Sequence, residues 1–335
     1  MQETILGKTG LRVGRTGFGC IPIQRISYEE STAILHRALD SGITLYDTAH
    51  GYTTSQDRLG TAFGHMRDKV VICTKSGAGD PETLTKQLEN SLRMLRSDYI
   101  DVFQFHNPGF VPRPGGEDGL YDCLLKAKAE GKIRFIGSSY HKRHLALEAV
   151  ESGLIDTLQY PFSYLSSDEE LELIESCSVH NVGILGMKSL CGGILSNSAA
   201  AFAFLRQYEN VVPIWGIETM AELEDFIKYE SHPPKLDDEM RKIIESDKKE
   251  FSGTFCRACG YCLPCPANIF IPMCARLVFL MNRSVKANFS TPEWQDNMRR
   301  IDECTNCGHC EANCPYELEV RKLLKSQQTE YFQII

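Results

Sequence analysis

Short apolar runs alternate with stretches whose apolar side chains recur every three to four positions along the first 235 residues. The runs at 16–20, 44–47, 70–74, 99–105, 135–138, 157–160, 183–187 and 211–216 read as strands, being brief, rich in Val, Ile, Phe and Thr, and bounded by turn residues. The stretches between them carry one apolar stripe each, the mark of a helix with a single buried face. Ile34, Leu35, Ala38 and Leu39 make such a stripe at 31–41, and Leu84, Leu88, Leu92 and Leu95 make one at 83–95. Residues 169–179 and 221–229 repeat it with Leu171, Leu173, Ile174 and Cys177, then Leu223, Phe226 and Ile227. Start and stop signals agree: Asp80-Pro81 and Ser167-Asp168 open helices, while Ser41-Gly42, Glu130-Gly131 and Ser152-Gly153 close them. Eight strands alternating with helices predict parallel pairing, and a body of this length fits a (β/α)8 TIM barrel of about 250 residues. An open doubly wound sheet is the alternative, disfavoured because no GxGxxG follows the first strand. Residues 5–13, ILGKTGLRV, read as a hairpin covering the bottom of the barrel.

Composition adds little until the cysteines are placed. Apolar residues make up 42% and charged residues 24% of 335, as in an ordinary core-forming protein. A net charge of −8 with no basic block argues against nucleic acid as a partner. No apolar run of about 18 residues predicts a membrane span. The N-terminal residues lack the pattern of a secretory signal, so a cytoplasmic location is expected. Of the 14 cysteines, five (Cys20, Cys73, Cys123, Cys177, Cys191) are scattered through the body, and the other nine fall between Cys256 and Cys314. Without a secretory signal such a cluster reads as metal ligands rather than a disulfide framework. The expected division is a barrel over 1–235 and a helical linker with a cysteine-dense domain over 236–335.

A barrel places its chemistry at the C-terminal ends of its strands. There the second strand ends in Asp47, the third in Lys75 and the fourth in His106, while Tyr52 sits on the loop after Asp47. A phenol, with a pKa of about 10, is a poor acid at neutral pH. An ammonium beside it is expected to lower that value, a carboxylate to hold the ammonium, and an imidazole to orient a substrate oxygen. Taken singly each has an ordinary structural reading: a capping Asp, a solvated strand-end Lys, a loop His, a packing Tyr. Together at one mouth they suit protonation of a carbonyl oxygen while hydride reaches carbon.

The segments LGKTGLRVGRTGFGC, GITLYDTAHGY, VVICTKS, DVFQFHNP, GKIRFIGSSYH and GMKSLCGG resemble the aldo-keto reductases over roughly residues 3–230. The resemblance implies Tyr52 as general acid, Lys75 and Asp47 tuning it, His106 orienting the carbonyl, and NAD(P)(H) extended across the barrel mouth. It implies Ser139, Tyr140 and Gln159 around the nicotinamide carboxamide and places Met187 where an aromatic ring often stacks. Gly192, Gly193 and Gly216 fit phosphate loops after strands seven and eight. Gln56 stands where the family usually has glutamate, and Glu218 lies where many members carry basic side chains for a 2′-phosphate, so NAD and NADP both remain open. FVPRPGGEDG, between Phe110 and Gly119, would border the substrate.

The tail carries a second chemistry. Residues 304–315, CTNCGHCEANCP, are C-x2-C-x2-C-x3-C-P, the bacterial ferredoxin run for a [4Fe–4S] cluster; residues 256–266, CRACGYCLPCP, are the same run with one gap shorter by a residue. Because the fourth cysteine of each run serves the other cluster in two-cluster ferredoxins, Cys256, Cys259, Cys262 and Cys314 are expected on one cluster. Cys265, Cys304, Cys307 and Cys310 are expected on the other, with Cys274 in reserve for Cys265. Zinc is the alternative, though zinc sites of four cysteines usually pair separate C-x2-C knuckles. Apolar patterns between the two runs predict a helical spacer and so an α-helical ferredoxin-like iron–sulfur domain. Trp294 in that spacer reads as packing.

Nicotinamide gives up two electrons at once and a cluster takes one, a mismatch that flavins commonly bridge. FMN is therefore a candidate for the same mouth, with Lys188 near its phosphate. The leading expectation is an oxidoreductase acting on a small carbonyl or alcohol, with two [4Fe–4S] clusters exchanging electrons with a redox partner protein. The alternatives are a barrel enzyme with structural clusters, and an electron carrier whose barrel does not catalyse.

Overall fold

The computed structural model describes residues 1–251, 255–283 and 286–335. Contacts divide it into two compact units, one of Met1–Ser189 with Phe202–Lys235 and one of Leu190–Ala201 with Leu236–Ile335.

The first unit opens with an antiparallel hairpin, β1 (Glu3–Ile5) and β2 (Arg12–Gly14), joined by a short 3₁₀ turn at Gly7–Thr9. Eight parallel strands then close into a barrel: β3 (Gly17–Gly19), β4 (Leu45–Asp47), β5 (Val71–Ser76), β6 (Ile100–His106), β7 (Ile133–Ser139), β8 (Thr157–Pro161), β9 (Gly183–Met187) and β10 (Val211–Gly216). The order is sequential, with β10 returning to β3 through Ile214↔Gly17 and Gly216↔Gly19. The expected strands differ from these only at their ends; β7, for example, begins two residues earlier.

Helix starts follow from capping chemistry. Ser27 and Glu30 form a reciprocal capping box for α1 (Tyr28–Asp40), satisfying two backbone N–H groups that a helix start leaves without partners. Ser167 with Glu170, and Thr219 with Glu222, do the same for the helices Asp168–Val179 and Met220–Ser231. Asp80 accepts from Thr83 N ahead of Pro81, whose missing N–H costs nothing at the first helical position.

The pleat decides what fills the barrel. Leu45, Cys73, Val102, Leu185, Val212 and Ile214 form one apolar cluster that Leu6, Leu11 and Val13 of the hairpin segment close. Two residues further along the same strand faces stand Asp47, Lys75, Gln104 and Met187, because side chains on one face recur with period two. The lower half of the barrel is therefore packed hydrocarbon and the upper half polar.

The second unit is built from short helices: Asp238–Glu250, Ile271–Cys274, Leu277–Asn282, Pro292–Arg299, His309–Ala312 and the long Val320–Ile334. Its core gathers Ile271, Leu277, Val278, Met281, Met298, Ile301, Leu324 and Tyr331 around the cysteines. No described helix is long and apolar enough to cross a membrane.

Candidate active site

Lys75 is almost fully buried, at 1% exposure, and its ammonium is spent within the barrel. It donates to Asp47 Oδ1 at 2.8 Å, Asp47 Oδ2 at 2.7 Å and the Thr48 carbonyl at 2.8 Å. All three N–H groups thus have acceptors. Gln159 Nε2 donates to Asp47 Oδ2 at 3.2 Å, and Gln104 Nε2 donates to Gln159 Oε1 at 3.0 Å. Gly137 makes room for this chain: a Cβ there would run into Thr157 Oγ1 and lie 2.9 Å from Gln104 Cγ. Burial raises the Asp47 carboxyl above the ordinary carboxylate value, and the ammonium and the two amides pull it back.

Tyr52 and His106 meet edge to face over this pair, with ring centroids 6.0 Å apart at 84°. The Lys75 ammonium stands 5.2 Å from the Tyr52 ring centroid, over its face rather than on its hydroxyl. The expectation that the ammonium lowers the phenol pKa needs correcting. Burial raises it well above 10, and the Asp47 charge adds to the rise. Tyr52 is held as a protonated phenol, the form a general acid must have. Burial and the Lys75 charge push His106 down to about 3, so its imidazole is neutral at physiological pH.

Asp47, Tyr52, Lys75, His106 and Gln159 are thus brought together. Ser139 stands at the end of β7, its Oγ donating to the Phe105 carbonyl at 3.3 Å and accepting from Asn107 N at 3.1 Å. Tyr140 is not brought in: it follows Ser139 on the other side of the chain, fully buried, and its hydroxyl donates to the Phe110 carbonyl at 3.1 Å. Met187 packs on top of the interior cluster. Lys188 follows it with φ 59°, and Gly216 ends β10 beside Gly19. Gly192 and Gly193, both with positive φ, pack within the second unit, where Arg276 donates to the Gly192 carbonyl at 2.8 Å. Gln56 donates to Thr74 Oγ1 at 2.7 Å and Ser91 Oγ at 2.9 Å, outside the barrel wall, so its difference from glutamate lies in strand–helix packing. Gln104 and Thr48 were not singled out from the sequence. The alternation Val102, Gln104, His106 in VFQFH was the available signal for Gln104.

A buried ammonium–carboxylate pair thus lies under a phenol and a neutral imidazole at the C-terminal ends of β4, β5 and β6. The model of the aldo/keto reductase family matches residues 11–202. The chain belongs to this family. Its relatives include the uncharacterised oxidoreductase YrpG of Bacillus subtilis (strain 168), 30% identical over 59% of this chain and 69% of that protein. The L-galactose dehydrogenase of Arabidopsis thaliana is 28% identical over 57% of this chain and 66% of that protein. Aldo-keto reductase AKR11C1 from Bacillus halodurans superposes with a TM-score of 0.64 at 20% identity, over 73% of this chain and 96% of that one, a likeness of fold. The protein is an oxidoreductase of the aldo/keto reductase type.

A second model, of a 4Fe-4S dicluster domain, matches residues 255–319. This aldo/keto reductase therefore carries an iron–sulfur domain, and its cysteines line two cavities. One is bordered by Cys262, Cys265, Cys304, Cys307 and Cys310. The other is bordered by Cys256, Cys259, Cys262 and Cys314. Among the described residues no three His, Cys, Asp or Glu side chains converge on a single-ion site. Between them the two walls carry eight cysteines, the number of thiolates that two four-iron clusters take. Cys274 borders neither cavity; it lies in the apolar core and its thiol donates to the Asn297 carbonyl at 3.7 Å. Burial, with the neighbouring Cys256 and Cys259, pushes Cys262 up to about 12.

Proposed function

We propose that the barrel reduces a small carbonyl compound, or oxidises the matching alcohol, with NAD(P)(H), and that the tail carries two [4Fe–4S] clusters exchanging single electrons with a redox partner protein. The observation that carries the reading is the buried Asp47–Lys75 pair beneath Tyr52 and His106. Bound nicotinamide supplies the hydride to the carbonyl carbon. The chain's own groups do the rest. The Tyr52 phenol, kept protonated by burial and the Asp47 charge, donates its proton to the carbonyl oxygen as negative charge builds there, with the Lys75 cation over its ring. Asp47 and the Thr48 carbonyl hold the ammonium in place. His106, neutral, orients the same oxygen through a hydrogen bond.

The nicotinamide has a fitting anchor in Gln159. An amide offers two donors and two acceptor positions, and Asp47 and Gln104 occupy one of each. The remaining donor and acceptor match a carboxamide, and Ser139 keeps one free lone pair. Cys256, Cys259, Cys262 and Cys314 would hold one cluster, and Cys265, Cys304, Cys307 and Cys310 the other, as the two cavity walls support.

The dicluster domain favours a second reading, in which FMN at the same mouth converts the electron pair into single electrons. Anaerobic addition of NADH, then NADPH, to the holoprotein with Tyr52→Phe alongside separates the readings. Loss of carbonyl reduction in Tyr52→Phe supports the first. A flavin released on denaturation, with cluster bleaching unchanged in the variant, would replace it by the second. Unimpaired carbonyl reduction by the variant would remove Tyr52 from its role.

A further inference from the structure

The two cysteine-lined cavities differ in the charge around them. Beside the cavity of Cys256, Cys259, Cys262 and Cys314 lies Arg276, which follows the lining residue Ala275 and is itself buried at 6% exposure. All its hydrogen bonds go to uncharged acceptors: Nε to the Pro272 carbonyl at 2.9 Å, Nη1 to the carbonyls of Cys191 at 3.3 Å and Gly192 at 2.8 Å, and Nη2 to Met273 Sδ at 3.7 Å. The guanidinium reaches the Cys256 turn: a Cβ on Gly192 would lie 2.8 Å from Arg276 Nη1 and 3.5 Å from Ala258 Cβ, and Ala258 N donates to Cys256 Sγ at 3.4 Å. Arg257 lines the same cavity, stacked over the Phe255 ring at 5.0 Å and the Tyr316 ring at 4.4 Å. Among the described residues no carboxylate is within ion-pair distance of either arginine, and the five undescribed residues are Ser, Gly, Thr, Ser and Val.

The other cavity is electrically balanced. Its lining arginine, Arg321, is paired with Glu311 at 2.6 Å. Arg321 Nε has no acceptor within the protein, so it is available to a sulfur, but its charge is already offset. Cys307, on this cavity, is exposed.

A buried guanidinium with no counter-ion is costly unless a negative charge stands near it. A cluster on four thiolates is negative, and it becomes more so with each added electron. A nearby uncompensated positive charge therefore favours the reduced form, and net local charge is a lever on cluster potential. Resting on the ligand sets proposed above, we infer that Arg276, assisted by Arg257, makes the cluster on Cys256, Cys259, Cys262 and Cys314 the higher-potential one, so that an electron entering near exposed Cys307 passes to it. One electron leaves the Cys265, Cys304, Cys307, Cys310 cluster and one arrives at the other; no proton or bond is involved. The electron comes from an external one-electron donor of lower potential. Arg276 acts here as a positioning residue for charge, without touching substrate.

The test is an anaerobic dithionite titration of the full-length holoprotein followed by electron paramagnetic resonance, with iron counted first. Arg276→Gln should lower the higher midpoint by at least tenfold in electron partition, about 59 mV for one electron, and leave the lower one in place. Arg276→Lys should restore most of it. Glu311→Gln, on a partly exposed side chain, should raise the lower midpoint, and it keeps the inference testable if Arg276→Gln does not assemble. Fewer than eight irons in the wild type would overturn the ligand sets and this inference with them. Eight irons with midpoints unmoved by Arg276→Gln, or by Glu311→Gln where the first variant fails, would overturn the inference alone. So would a shift of the lower midpoint in Arg276→Gln.

Discussion

Lys75→Met removes the ammonium and keeps most of the side-chain volume. It leaves Asp47, 3% exposed, with Gln159 at 3.2 Å as its remaining close donor. Breaking a buried pair from one side costs about 3–5 kcal/mol. A separate route gives a similar figure. The stranded carboxylate escapes by taking up a proton, and holding a group of unfolded pKa about 3.9 protonated at pH 7 costs about 4 kcal/mol. The two routes differ in what they say about pH. If Asp47 is protonated in the folded variant, the folded state binds more protons than the unfolded one through this window. Stability then falls as pH rises, by about 1.4 kcal/mol per unit. Lowering the pH from 7 to 5 should return about 2.7 kcal/mol to the variant relative to wild type. Asp47→Asn combined with Lys75→Met removes both charges and should recover most of the loss at any pH. Trp215 is buried in the barrel unit and the other tryptophan, Trp294, is in the second. Urea unfolding followed by Trp215 fluorescence in a Trp294→Phe background therefore reports on the barrel. A loss below about 1 kcal/mol, or one that does not shrink on acidification, would refute the view of Asp47 as a carboxylate dependent on Lys75.

Other outcomes follow from the same geometry. Because His106 is pushed down to about 3, the pH profile of kcat/KM should show no break between pH 5 and 8 that His106→Asn removes; such a break would make the imidazole a proton carrier. Gly137→Ala places a methyl group against Thr157 and Gln104 and should cost about 1–3 kcal/mol while raising KM for the nicotinamide; a neutral variant would mean that the Gln104–Gln159–Asp47 chain does not need that gap. Cys265→Ala should lose iron and Cys274→Ala should keep all of it, as counted by iron analysis on anaerobically purified protein; the reverse pattern would exchange their roles.

Most of the barrel was legible because its two periods are written plainly. Strand faces repeat every two residues and helix stripes every three to four, and the caps at Asp80 and Ser167 mark where one gives way to the other. The strand-end rule then brought Asp47, Lys75 and His106 to one mouth without any pairing information. What escaped was tertiary in origin. Whether an ammonium lowers a phenol pKa depends on burial and on where the ammonium sits. Three acceptors hold that of Lys75 over the ring instead of on the hydroxyl. Tyr140 sits next to Ser139 in sequence yet turns to Phe110, because adjacent residues point to opposite sides of an extended chain. Gln104 and the two arginines beside the Cys256 cavity carry no motif, and their roles depend on neighbours far away along the chain. The cysteine runs were the opposite case, because the spacing itself is the signal.

The central claim is direct hydride transfer at the barrel mouth with Tyr52 as the acid. The measurement that tests it is the fate of deuterium placed at the transferable nicotinamide carbon, for NADH and NADPH in turn, with an aromatic aldehyde as acceptor and the anaerobic holoprotein as catalyst. The account predicts one deuterium on the carbinol carbon of the product, and none formed by Tyr52→Phe. Product carrying solvent hydrogen at that carbon would contradict it, since an intervening flavin exchanges the label with water before passing it on.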